Sequence, residues 1–98
     1  MECNSVELCG KIVEIAPLRY TPAGIAVLNF RLAHSSSQIH GGRKRNVECE
    51  IQALALDEVA KIAANLQVGT PVRLSGFLAA KSKDSAQLVL HVNRVEPE

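Results

Sequence analysis

The hydrophobic pattern lengthens to a helical period in one place along the chain, and that interruption decides most of what the chain can fold into. Arg45 to Ala53 alternates, with Val47, Cys49 and Ile51 set against Glu48, Glu50 and Gln52. This is the two-residue period of a strand with one covered and one wet face. From Asp57 the period lengthens. Val59, Ile62, Ala63 and Leu66 stand at i, i+3, i+4 and i+7, one face of a helix, and Asp57 is placed to cap it. Gly69 ends the helix or begins the next turn, and Pro71 suits the start of a strand. Strand-like runs follow at Val72–Ala80 and Gln87–Val95, the latter with Leu88, Leu90 and Val92 on one face. Two more precede, at Ser5–Ile15 and Ile25–Ala33, where Leu28, Phe30 and Leu32 alternate with Asn29, Arg31 and Ala33.

The intervening segments read as connections. Ala16–Gly24 holds Pro17, Pro22 and Gly24 and reads as a loop or turn. His34–Lys44 is polar around Gly41-Gly42 and reads as a long, mobile hairpin loop; Lys81–Ala86 reads as a polar turn. The order is strand, strand, strand, helix, strand, strand. Gly10 and Gly76 lie inside the first and fourth strands, where they let a strand bend around a small barrel. The pattern predicts an all-β, five-stranded OB-fold Greek-key barrel with one short helix between strands three and four. An open mixed sheet with one covering helix is the alternative. A length of 98 residues suits one domain over 1–98, with no separate linker or tail domain.

Composition narrows the chemistry. Hydrophobic residues make up 47% and aromatics only 3%, so the core is built from Val, Leu, Ile and Ala. Cys3, Cys9 and Cys49 are odd in number and lack CxxC spacing, which argues against a disulfide framework and a zinc site; reduced thiols packed as small hydrophobes are expected. His34 and His40 have no Cys or acid at ligand spacing, so neither metal nor cofactor is expected. GxGxxG, Walker, HExxH, GxSxG and SxxK patterns are all missing. Ser35-Ser36-Ser37 beside His34 lacks a buried, oriented base. Glu48 and Glu50 share a strand face and could hold a metal for nuclease chemistry, but a solvated face is the plainer reading. The chain reads as a non-enzyme. Without a signal-like segment or an apolar run near 18 residues, a cytoplasmic protein that does not contact membranes is expected.

The formal net charge is +1, but the charges are segregated. No Asp or Glu lies between Ile15 and Val47 or between Val59 and Lys83, and those two windows hold nine of the eleven basic residues. A local positive field can exist on a nearly neutral chain. Arg43-Lys44-Arg45 can follow a phosphate backbone. Lys81 and Lys83 occupy the turn between strands four and five, and Arg19 and Tyr20 the loop between strands one and two. In an OB-fold these two loops flank the nucleic-acid face. Arg31 points off the wet face of strand two, and His34 ends that strand. Tyr20 is the one aromatic in a loop and can stack a base; Phe30 faces the core; Phe77 shares the parity of Arg73 and Ser75 and is a second stacking candidate. His91 reads as a plain surface strand residue. These features point to a flexible nucleic acid as the ligand, held through its phosphates. Two rivals are a protein-interaction adaptor with little DNA binding and a metal nuclease.

Ala16-Pro17-Leu18-Arg19, Pro22-Ala23-Gly24-Ile25, the Phe30 strand reaching His34, Val68-Gly69, Gly76-Phe77-Leu78, Lys81-x-Lys83 and Leu90-His91 stand in an order that resembles the primosomal replication protein N (PriB) family, a relative of the bacterial single-stranded-DNA-binding (SSB-like) OB-fold proteins. The resemblance runs nearly the full length. It implies single-stranded DNA as the ligand, held without sequence preference, a homodimer joined through the first strand, a primosome role in replication restart, and as partners a PriA helicase and, in some bacteria, a DnaT loader. It places basic DNA contacts at Lys81 and Lys83 and, more loosely, in the Arg19-Tyr20 loop. The chain departs from the family at Glu48, where members carry a Trp, and at Tyr20, Ser35 and Gln87, where members carry basic residues.

Overall fold

The computed structural model describes residues 2–98. Its elements are β1 (Val6–Ile15), β2 (Arg19–Tyr20), β3 (Ala26–His40), β4 (Arg43–Leu56), α1 (Asp57–Ala64), β5 (Pro71–Ala80) and β6 (Leu88–Pro97). The sheet runs in the order β1-β5-β6-β4-β3-β2, and β1 also pairs with β3. That second pairing joins the ends, so β1, β5, β6, β4 and β3 form a closed ring. All ring pairs are antiparallel except β4–β6, which is parallel. This is the expected five-stranded barrel, with α1 between the third and fourth long strands. The segment read as a loop before β3 also contributes β2, whose Arg19 and Tyr20 pair with Val27 and Ala26.

β1 serves two partners. Val6–Lys11 pairs with β5 and Lys11–Ile15 with β3. Where the strand passes from one to the other, a Cβ on Gly10 would fall inside the Ala33 carbonyl; one on Gly76 would fall inside that of His91. The interior glycines therefore sit where neighbouring strands leave no room for a side chain. The enclosed core is aliphatic, as composition required. Ile12, Leu28, Leu32, Val72, Leu74 and Leu90 are its largest fully buried side chains, and Phe30 joins them.

Helix α1 packs against β3, β4 and β6. Its contact differs from the periodicity. Ala60 and Ala63 are buried, while Ile62, expected in the apolar face, is 52% exposed. An eight-residue helix seats its small residues closest to the barrel and turns the larger one outward. Asp57 is not the cap either. The N-cap is Leu56 without a side-chain bond, and Asp57 itself takes φ 59°, a left-handed conformation that Asp tolerates better than most residues.

The largest correction concerns His34–Lys44. It is not a mobile loop but a paired ribbon. β3 and β4 stay in register from Val27↔Leu56 out to His40↔Arg43, and Gly41 and Gly42, with φ 62° and 77°, form a two-residue turn. β1 leaves β3 at Ala33, and β6 pairs with β4 only from Gln52. The outer seven residue pairs thus project as two strands alone, about 23 Å at strand rise. Cys49 lies on this ribbon and is exposed, as is Cys3, while Cys9 is half-buried. The expectation of packed thiols fails for the first two because Cys49 lies beyond the barrel and Cys3 precedes β1.

Candidate nucleic-acid interface

Core residues alternate with outward ones along the barrel strands, apart from the buried runs Ala26–Leu28 in β3 and Val89-Leu90 in β6, and register relates the outward positions of neighbouring strands. They fall in rows. Asn29 on β3 lies beside Leu54 on β4, Leu54 beside His91 on β6, and His91 beside Phe77 on β5. The next row is Arg31, Gln52, Val89 and Ala79.

Two loops bring cations to this surface. Arg19 is placed by the short β2 pairing, and its Nη2 donates to Asn29 Oδ1 at 3.0 Å. Lys81 follows β5, where its backbone N–H donates to the Gln87 carbonyl at 2.8 Å and closes the turn into β6. A shallow cleft of about 240 Å³ is lined by Asn29, Arg31, Gln52 and Lys81, with Glu14 at its β1 side. Arg19, Arg31 and Lys81, far apart in the chain, are therefore brought together around Asn29. Lys83 is exposed two residues further along the same turn.

The ion pairs leave most of this charge unanswered. Among the described residues they are Arg31–Glu50 at 3.7 Å, Lys61–Glu58 at 3.4 Å and Arg94–Glu96 at 2.7 Å. None engages Arg19, Lys81, Lys83, Arg43, Lys44 or Arg45. The Arg31–Glu50 pair is solvent-exposed and long, so it holds Arg31 only weakly. Arg73 on outer β5 is likewise in no ion pair among the described residues; its guanidinium is held above its ordinary range, first by the neighbouring Cys9 side chain and then by Glu7 and Glu98.

The remaining predicted residues are spread out. Tyr20 is 59% exposed on the β2 edge. Phe77 is 37% exposed and stacks on His91, ring centroids 5.1 Å apart and planes 13° from parallel. His34 was expected at a strand end facing the ligand, but it lies mid-strand in β3 and is half-buried. Its Nδ1–H donates to the Cys9 carbonyl at 2.7 Å and its Nε2 meets Ser36 Oγ at 2.8 Å, so both nitrogens are engaged within the chain. The basic triplet sits at the ribbon tip and divides by strand alternation. Arg43 and Arg45 share a face with His40, whose Nδ1 is 3.2 Å from Arg45 Nη1; Lys44 lies opposite beside Ile39. It does not join the cleft.

Sequence reasoning missed Asn29 and Gln52, which sit in the same wet alternation as Arg31 and could have been read from it. His91 was passed over because its partner, Phe77, is set by β5–β6 register. Among the described residues no group of three or more His, Cys, Asp or Glu is arranged to hold a metal ion, and no helix is long and apolar enough to cross a membrane.

A closed five-stranded barrel with one parallel pair and a helix before the fourth long strand is an OB-fold, here with cationic loops over one outer face. Residues 4–94 match the model of a family described as another single-strand binding protein family. The replication restart protein PriB of Nitrosomonas europaea is 42% identical over 89 residues, covering 91% of this chain and 82% of that protein. That of Neisseria meningitidis serogroup B is 39% identical over 93 residues, covering 95% and 92%. The chain belongs to this single-strand binding family, among its PriB relatives. The solved PriB structure from Ralstonia solanacearum superposes with a TM-score of 0.90 at 33% identity, covering 99% of both chains. The single-stranded DNA binding protein of Thermus aquaticus shares the fold, with a TM-score of 0.78 at 24% identity over 98% of this chain and 50% of its own.

Proposed function

We propose that the chain binds single-stranded DNA without sequence preference and acts, without catalysis of its own, as an accessory protein of replication restart in the cytoplasm. The observation that carries this reading is the convergence of Arg19, Arg31 and Lys81 around Asn29, on the outer face that the two loops flank. Cations over a strand face suit a flexible polyanion, whose phosphates fix position while bases stack on exposed rings. Arg19, Arg31, Lys81 and Lys83 hold phosphates, and Tyr20 and Phe77 offer ring faces. Arg43, Lys44 and Arg45 reach only strands long enough to leave the barrel. His34 acts by tying the ribbon to β1 rather than by touching DNA.

The relatives are replication restart proteins by name, which supports the cellular role. The homodimer and the PriA and DnaT partners belong to the same reading, as the family resemblance implies them. Between β1 and the ribbon lies an open concavity of about 770 Å³ whose lining includes Lys11, Val13, Glu48 and Glu50. An apolar residue with both signs of charge suits a self-complementary two-fold contact.

The direct test is fluorescence anisotropy of a labelled oligo(dT) titrated with wild type and with the Lys81→Ala, Lys83→Ala double variant. Weaker binding and a salt slope shallower by about 0.7 per lost phosphate contact are expected. The adaptor reading is favoured by Glu14 in the cleft and by Glu48 and Glu50 on the adjoining face. It wins if the double variant binds DNA like wild type while stimulation of a PriA-type helicase falls.

A further inference from the structure

The cleft leaves the far end of the ribbon without a role. From Arg31 to His40, β3 runs on for nine residues, about 30 Å at strand rise. Along that length the face that carries Arg31 presents Glu50 and then Glu48 on β4, both exposed. The cations at the tip are thus far from the cleft, with acid between the two on the face they share.

Strand alternation divides those cations between the two faces of a ribbon one sheet thick. Arg43 and Arg45 stand with Gln38 and His40 on one face, and Lys44 stands with Ile39 on the other. Arg45 Nη1 donates to His40 Nδ1 at 3.2 Å, which keeps that guanidinium alongside the ribbon. All three cations are exposed, and among the described residues none is in an ion pair. The turn between the strands is bare: a Cβ on Gly41 or Gly42 would have nothing within 4 Å. Ile39, at 71%, is the most exposed of the large hydrophobics among the described residues, so burial within the fold does not account for it.

A single strand laid on one face leaves the charge of the other face unused. Cations on opposite faces of a thin ribbon suit a ligand with two anionic walls. The wide groove of B-form DNA has that shape, about 12 Å across and 8.5 Å deep, and it admits a two-stranded ribbon. From the Gln38–Arg45 pair to the turn is about 10 Å at strand rise, close to the depth of the groove. Inside it the bare turn can approach the base edges, and Ile39 can meet thymine methyl groups. We propose that the ribbon tip is a second nucleic-acid site, one for duplex DNA: it enters a groove with Arg43 and Arg45 toward one phosphate wall and Lys44 toward the other. The site goes beyond the single-strand reading and stands without it.

The test is anisotropy of a labelled blunt DNA duplex of about two helical turns, titrated at several salt concentrations. Wild type is compared with the tip variant Arg43→Gln, Lys44→Gln, Arg45→Gln and with the charge-matched cleft variant Arg19→Gln, Arg31→Gln, Lys81→Gln. Wild type is expected to bind the duplex. The tip variant is expected to bind it about tenfold more weakly at low salt, with a log–log slope shallower by about 2.7, near 0.9 for each of three phosphate contacts. The cleft variant is expected to change duplex affinity by about twofold or less. Lys44→Gln alone, and Arg43→Gln with Arg45→Gln, each weaken binding, because each face meets a wall; a loss confined to one face overturns entry into a groove. A duplex RNA of the same length is expected to bind about threefold or more weaker, since its deep groove is too narrow for side chains, and equal binding overturns the proposal. So does a wild type that ignores the duplex, or an equal loss from the cleft and tip variants. Oligo(dT) binding by the wild-type chain, read in the same assay, reports on the single-strand reading separately.

Discussion

Arg31 shows how much of the proposed interface lives in single side chains. Its guanidinium is shared between the cleft and an exposed carboxylate, Glu50, at 3.7 Å. Glu50→Gln removes the competitor and one negative charge from the adjoining face. Oligonucleotide affinity at low salt, measured by anisotropy, is expected to rise by about twofold, the scale of a weak exposed pair; a fall would show that Glu50 helps to place Arg31 for binding. At this scale the sequence was partly legible. The alternation Leu28, Asn29, Phe30, Arg31, Leu32 gave the inward and outward sides correctly, because burial on a strand follows period two. The acceptor of His34 was not legible. It is the Cys9 carbonyl, 25 positions away, brought close by β1 bending from β5 to β3.

Elements differ in what supports them. The barrel strands are clamped by core side chains and by backbones that pass too closely for a Cβ at Gly10. Gly10→Ala must displace the Ala33 carbonyl or part β1 from β3. A loss of about 2 kcal/mol or more is expected, in the range of forced overpacking, visible as a lower denaturant midpoint. An unchanged midpoint would mean that the close approach is not needed. The outer ribbon has neither support. It depends on its own ladder and on a turn with both glycines at positive φ, so Gly41→Val with Gly42→Val is expected to open the tip. Amide exchange for residues 36–45 should quicken while barrel amides and the melting temperature stay unchanged. A matching loss in the barrel would place the ribbon within the cooperative unit. This element escaped sequence reading for a physical reason. Both of its faces are wet, so hydrophobic alternation, the only strand signal in one sequence, is missing from Ser35-Ser36-Ser37-Gln38.

At the scale of the whole molecule, a net charge of +1 says little, and position decides. The order of strands and helix was written in the changes of period, and the barrel followed from it. Which basic residues meet was not written there. The Arg43–Arg45 triplet is the densest cationic run in the chain, yet the fold sends it to the ribbon tip. Scattered Arg19, Arg31 and Lys81 are gathered because β2, β3 and the β5–β6 turn border one outer face. The most direct measurement compares two triple variants that remove equal charge: Arg19→Gln, Arg31→Gln, Lys81→Gln in the cleft, and Arg43→Gln, Lys44→Gln, Arg45→Gln at the tip. The salt dependence of binding a short oligo(dT) is followed for each. The cleft variant is predicted to flatten the log–log slope by about 2, near 0.7 for each of three phosphate contacts, and the tip variant to change it far less. Equal slopes for the two variants, or a cleft variant that behaves as wild type, would contradict a single track on the outer face.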